Sequence, residues 1–360
     1  MPTALRTALL CAALLAALLC SGPAAAADTQ LILMIPVPGA PLASYDISWI
    51  DQQSQTYYLA DRSNAGIDII DAKSHEFVAR IPGFVGFTGN NDTSGPDGVV
   101  VNGHTLYAGD GDSTVKVIDL RTRQIINVVN TGGVKRADEM AVDPNGKTLL
   151  AVNNADDPAF LTLISTKKGN PILFSHVTVP GATGGIEQPV WDKATKRYYI
   201  SIPQLNGSLT DGGVAVFNPK TGMVETVHPI ANCQPSGLTL GPNQHLLLGC
   251  AANETTVIDA KTGTPVAHIT QVTGSDEVWF NSGDNRYYTA SRNNPGGPVL
   301  GVIDALTNQW IQNVPTAPNS HSVAANARNN EIFVPLTASP ASPCPNGCIG
   351  VFEDVSSDKK

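Results

Sequence analysis

The chain reads as an all-β protein, a seven-bladed β-propeller of four-stranded blades, and three features of its sequence predict that class. A unit of short strands recurs from end to end. Turn-forming residues fall at matching places in each copy, and one strand at the N-terminus has no blade of its own while the last copy lacks a strand.

The clearest copy runs from Pro96 to Asn130. Val99 to Val101 is a short apolar run stopped by Asn102-Gly103, a pair suited to a tight hairpin. Thr105 to Ala108 is the second strand, and the polar stretch Gly109 to Asp112 leads into Thr114 to Ile118, rich in β-branched residues that suit a pleated surface. Asp119 opens a turn and Gln124 to Val129 forms the fourth strand, after which Gly132-Gly133 breaks the pattern.

Aligned on the first strand, the copies begin at Asp46, Asp97, Asp138, Glu187, Ser236, Asp276 and His321, so successive starts lie 51, 41, 49, 49, 40 and 45 residues apart. That is the period of a four-stranded propeller blade. The runs are short, rich in Gly and Pro at their ends and without a 3.6-residue apolar period, which excludes helical repeats of similar length. A second marker closes the third strand of each copy: Ile70-Asp71, Ile118-Asp119, Phe217-Asn218, Ile258-Asp259, Ile303-Asp304 and Phe352-Glu353, with Ile164-Ser165 a weaker one. Such polar residues cap the following turn and are read as structural. The segment Gln30 to Gly39 resembles the fourth strand Glu76 to Gly83, and joining it to the last blade would close the ring and remove both sheet edges.

Residues 1–27 are set apart. Arg6 is their only charge, Leu9 to Leu19 is an apolar run, and Pro23 to Ala27 is a stretch of small residues, the pattern of a secretory signal peptide cleaved after Ala26 or Ala27. The rival is a lipoprotein acylated at Cys20, which places the large Leu19 where a small residue is expected. The domain expectation is therefore a signal peptide, a single propeller over 28–354 and a polar tail at 355–360, in a periplasmic or secreted protein with no later segment long enough to span a membrane. Losing Arg6 moves the net charge from -9 to -10, an acidic balance that argues against nucleic acid as partner. Four cysteines remain, in the local pairs Cys233 with Cys250 and Cys344 with Cys348. Disulfides suit an oxidising compartment, and a zinc site is the alternative.

The segment TLYAGDGDSTVKVIDLRTRQIINVV, with the fragments PNGKTLLAVNNAD and TTVIDAKTGTPVAHI, resembles the YVTN propeller repeat: strand, polar loop, β-branched strand ending in Asp, returning strand. The likeness covers most of residues 45 to 330. It implies the propeller fold and no shared catalytic residues, because one fold hosts many activities.

The innermost strand of each blade starts at one rim of the central channel, so the aligned first positions form a ring. Asp46, Asp97, Asp138, Glu187, Asp276 and His321 are the candidate metal ligands in it, with Ser236 the seventh member. Converging carboxylates raise one another's pKa unless a cation or hydrogen-bond donors offset the repulsion. Oxygen-rich ligation points to Ca²⁺, Mg²⁺ or Mn²⁺, while His321 admits Zn²⁺ or iron. The competing reading is that each acid accepts hydrogen bonds from nearby backbone N–H groups.

Loops between second and third strands open on the same rim and carry Arg62, Asp110, Asn154, Arg292 and Asn293, a polar funnel for a small polar or anionic molecule, or for a protein docked at the rim. The long connection from Gly83 to Pro96 carries Phe84 and Phe87, at least one expected to tuck between blades. Trp49, Trp191 and Trp279 are expected to pack between blades. Glu139 and Glu277 directly follow ring acids, and strand alternation would turn them toward a neighbouring blade and away from the axis. No nucleophile elbow, P-loop or HExxH motif is present. Two function classes follow: a metal-dependent hydrolase or lactonase, by architectural analogy with gluconolactonase-type propellers, and a non-enzymatic YVTN-type binding module.

Overall fold

The computed structural model describes residues 28–356 except Pro144, Gly146 and Ala252. The signal peptide expected at 1–27, with its cleavage points and Cys20, lies outside the described residues, as does the end of the polar tail. The described chain folds into seven sheets of four antiparallel strands each, arranged as a β-propeller.

Blade 1 consists of Ser48–Asp51, Thr56–Asp61, Gly66–Asp71 and Glu76–Pro82, and blade 2 of Val99–Asn102, Thr105–Asp110, Thr114–Asp119 and Gln124–Asn130. Blades 3 to 6 repeat the order, their innermost strands being Met140–Val142, Pro189–Asp192, Pro235–Leu240 and Val278–Asn281. Blade 7 takes Ala324–Ala325, Ile332–Leu336 and Cys348–Asp354 from the C-terminus and its outer strand, Thr29–Pro36, from the N-terminus. The closing pair runs in register from Thr29 against Asp354 to Pro36 against Cys348, with one shift between Leu31 and Leu33. The segment expected to complete the last blade therefore does so, and the Cys348–Asp354 strand is paired on both sides.

Strand periodicity explains how each blade is buried on both faces. Consecutive side chains point to opposite faces, so the tyrosine doublets of the second strands serve two neighbours at once. Tyr57 packs toward blade 7 with Phe333 and Val351, whereas Tyr58 packs toward blade 2 with Leu106 and Ile118. Tyr198 and Tyr199 divide in the same way between blades 3 and 5, and Tyr287 and Tyr288 between blades 5 and 7. Burying one such ring contributes on the order of 2 kcal/mol, and truncating it to Ala would open a cavity between blades.

The turn markers are structural, as expected. Asp71 Oδ1 accepts from the Lys73 N–H at 2.8 Å, Asn218 Oδ1 from Lys220 at 2.9 Å, Asp259 from Lys261 at 3.0 Å and Asp304 from Leu306 at 2.9 Å. In blade 7 the strand runs through Phe352 and Glu353 to Asp354, which pairs with Arg286 of blade 6 at 2.7 Å. Both cysteine pairs are disulfides, Cys233–Cys250 and Cys344–Cys348, and the zinc alternative falls. No helix among the described residues is long and apolar enough to cross a membrane.

Candidate functional site: an acid and arginine ring at the channel mouth

Each ring acid lies just ahead of its innermost strand and is fixed by one recurring backbone contact. The N–H of Asp46 donates to Ala60 O at 2.9 Å, Asp97 to Gly109 at 3.0 Å, Asp138 to Val152 at 2.8 Å, Glu187 to Ser201 at 3.0 Å and Asp276 to Ala290 at 3.0 Å. The same partner residues donate back to the carbonyl of the residue after the acid, for example Val152 N–H to Glu139 O at 3.1 Å. Two residues thus face one across the ladder, which makes a β-bulge. In blade 5 the bulge appears as a register shift between Pro235 and Gly237, around Ser236.

The bulge corrects one expectation. Because Glu139 and Glu277 sit in it, strand alternation does not set their direction, and both reach the axial cavity. Glu277 also touches the next blade, accepting from Ser322 Oγ at 3.1 Å. The three tryptophans Trp49, Trp191 and Trp279 pack against the inter-blade clusters as expected, and they also line that cavity.

At the mouth the ring divides into parts. One carboxylate oxygen from each of Asp46, Asp97 and Asp138 falls within 4.8 Å of the others, and all three residues are buried. Arg62 bridges Asp46 and Asp97 through one guanidinium nitrogen, and Arg136 pairs with Asp138 at 2.7 Å. His321 joins the same group. Its Nδ1–H donates to Asn319 O at 2.7 Å, which turns Nε2 toward Asp46 Oδ1 at 3.5 Å, and its ring stacks on Tyr45 with centroids 4.7 Å apart. Glu187 and Asp276 are held separately, Glu187 by Asn154 Nδ2 at 2.9 Å and Asp276 by Arg292 at 2.8 Å. The side chain of Ser236 is not drawn into the group, while its carbonyl accepts from Ser201 Oγ at 2.5 Å.

The electrostatics follow from burial and these partners. Burial opposes the charge on Asp46, but Arg62, His321 and Arg136 together outweigh it and hold the carboxyl below the usual range. Burial pushes Asp97 and Asp138 upward against the pull of Arg62 and Arg136. Glu187 is raised to about 8, by burial first and then by the charge of Asp138. Both arginines are raised despite burial, because carboxylates surround them.

The loop residues expected to greet a ligand are mostly committed elsewhere. Arg62 is buried in its double ion pair. Asp110 is fully buried, pairs with Lys116 at 2.9 Å and accepts from the Val85 N–H at 3.1 Å, so it anchors the long loop. Asn154 holds Glu187. Only Arg292 and Asn293 reach solvent, with Arg292 also 3.5 Å from Asn319 Oδ1.

Arg136 escaped the sequence reading. It precedes a ring acid by two residues and belongs to no second-to-third-strand loop, and the adjacent basic pair Lys135-Arg136 was its only trace. The 83–96 loop also does more than fill space. Phe84 is buried between blades 1 and 2, whereas Phe87 is exposed at the mouth beside Arg62 and Asn319. The loop is tied across the mouth by Arg136 N–H to Asp92 O at 2.8 Å and by Arg136 Nη1 to Asn91 O at 3.0 Å. Beyond it a cleft of about 580 Å³ opens between Asn91, Arg136, Asn154 and Glu187.

A scan of the chain against protein-family models finds no match, and a comparison with curated proteins finds none either.

Proposed function

We propose that this is an extracytoplasmic propeller of the YVTN-like kind that binds a divalent cation at Asp46, Asp97 and Asp138, and a small polar or anionic molecule in the cleft beside it. One observation carries the reading: three buried carboxylates converge within 4.8 Å while Asp97 Oδ2 is left with no hydrogen-bond partner. A buried, unsatisfied carboxylate oxygen is costly, and an ion would satisfy it. The all-oxygen donor set suits Ca²⁺, Mg²⁺ or Mn²⁺, and the Nε2 of His321 adds a donor that would suit Zn²⁺ or iron. Arg62 is the competitor, since its guanidinium already bridges two of the acids. Cation binding on this proposal moves Arg62 off one of them. The disulfides fit an oxidising compartment.

Thermal melting of the purified protein with and without each ion tests the proposal. A melting temperature that rises with one divalent cation in the wild type and not in Asp97→Asn supports it. Indifference to Ca²⁺, Mg²⁺, Mn²⁺ and Zn²⁺ alike would leave a binding module whose ring is closed by arginine alone.

A hydrolytic reading is favoured by Glu187. It is the ring acid beside the open cleft that no arginine side chain grips directly, and a carboxyl raised to about 8 suits a general base near neutral pH. Turnover of simple lactones that depends on the added ion and is lost in Glu187→Gln supports this reading. Turnover that survives the substitution sinks it.

A further inference from the structure

Below the acid ring the channel widens into a cavity of about 300 Å³, a volume at the lower end of small-molecule sites. Its walls carry the indoles of Trp49, Trp191 and Trp279, each only half-buried, with Trp49 and Trp279 meeting edge to face at 5.2 Å. Its polar lining includes Glu139, Gln188 and Glu277. Glu277 is satisfied: Oε1 accepts from Gln188 Nε2 at 2.8 Å and Oε2 from Ser322 Oγ at 3.1 Å. Glu139 is not. It is 5% exposed and its Oε2 has no hydrogen-bond partner, and the indole N–H of Trp191 is likewise buried without an acceptor. Burial first, and then the neighbouring carboxylates of Glu277, Glu187, Asp138 and Asp276, push the Glu139 carboxyl well above its ordinary range.

From the unpartnered Glu139 carboxyl and the three indoles, we propose that this cavity binds an organic ammonium ion, an amine with a small aromatic or aliphatic body. The nitrogen would donate to the Glu139 carboxyl, a charge-assisted hydrogen bond of the stronger kind. The body would lie among indole faces, where a cation gains further from the ring quadrupoles. A metal ion fits poorly, because the walls are mostly aromatic and aliphatic and, of the two lining carboxylates, Glu277 is already engaged by Gln188 and Ser322. An anion fits poorly, because no lysine or arginine among the described residues lines the cavity. The β-bulges make the site: without them Glu139 would turn from the axis, and the cavity would lose its unpartnered carboxyl. This site is separate from the rim site proposed above and requires no metal.

Phenethylamine and tetramethylammonium are suitable probes, with 2-phenylethanol and phenylacetate as neutral and anionic counterparts. Titrations of the intact protein in chelator, read by tryptophan fluorescence and calorimetry, should show one amine per chain and no binding of the alcohol or the acid. Glu139→Gln should weaken amine binding at least tenfold while melting no lower than wild type, since it removes one of several crowded acids. That separation distinguishes a ligand contact from a structural one. Trp191→Phe should weaken binding and leave the fluorescence response smaller. Absence of saturable binding of either ammonium probe at millimolar concentration overturns the proposal. So does equal affinity in Glu139→Gln, or equal binding of 2-phenylethanol. Asp97→Asn, which disables the rim site, should leave amine binding unchanged, so the two proposals fail separately.

Discussion

Replacing Arg62 with Met removes a buried guanidinium and keeps most of its bulk. In the wild type that group bridges Asp46 and Asp97, with Arg62 itself 4% exposed and Asp97 wholly buried. Removing one partner of a buried ion pair costs about 3–5 kcal/mol, because the remaining charge is left without compensation. Two acids are stranded here, but burial already pushes Asp97 toward its neutral form, which places the expected loss near the lower figure. About 3 kcal/mol corresponds to a melting temperature lower by roughly 4–5 °C in a domain of this size. Calorimetry of wild type and Arg62→Met in chelator measures it, and Arg62→Met should then recover more stability from an added divalent cation than wild type does. A variant that melts within 1 °C of wild type would refute the view that arginine compensates the ring.

Removing residues 28–36 takes away the outer strand of blade 7 and bares the Cys348–Asp354 edge. The truncated protein should be largely insoluble or unfolded, whereas trimming 355–360 should leave melting unchanged; circular dichroism of the two separates a ring-closing strand from an ordinary terminus. Asp68, buried beside Asp61 in blade 1, is raised to about 8 mainly by burial, against its bond from Arg80 Nε at 2.6 Å. Because its folded pKa lies above its unfolded one, the folded state holds the extra proton and stability falls as pH rises from about 4 to 8. Asp68→Asn keeps an acceptor for Arg80 and should be more stable than wild type at pH 8, by at least the ~1.4 kcal/mol that one unit represents, and no more stable at pH 4. A pH-independent difference in urea midpoint would contradict that assignment.

The fold was legible because it is written redundantly. Seven copies of the strand pattern, six separations of one blade length and a strand without a blade all lead to the same closed ring. The ring of first positions was legible for the same reason, and the recurring N–H contacts of Asp46, Asp97, Asp138, Glu187 and Asp276 bear out the alignment. What the aligned acids touch was not legible. Arg62 was read as part of a ligand funnel, yet its long side chain turns inward to two acids that lie 16 and 35 residues away. Arg136 stands outside the aligned loops altogether. The directions of Glu139 and Glu277 were misjudged because alternation holds only within a regular ladder, and the bulge just ahead of the strand breaks it. Backbone irregularity of one residue left no mark in the hydrophobic pattern, and it set which acids line the channel.

Elemental metal analysis of the purified protein, after exchange into buffer containing each divalent ion and removal of the excess, tests the rim site most directly. One ion per chain is expected in the wild type and far less than one in the Asp97→Asn, Asp138→Asn double variant, with circular dichroism unchanged. No bound metal in the wild type, or stoichiometric metal retained by the double variant, would contradict a cation site at Asp46, Asp97 and Asp138.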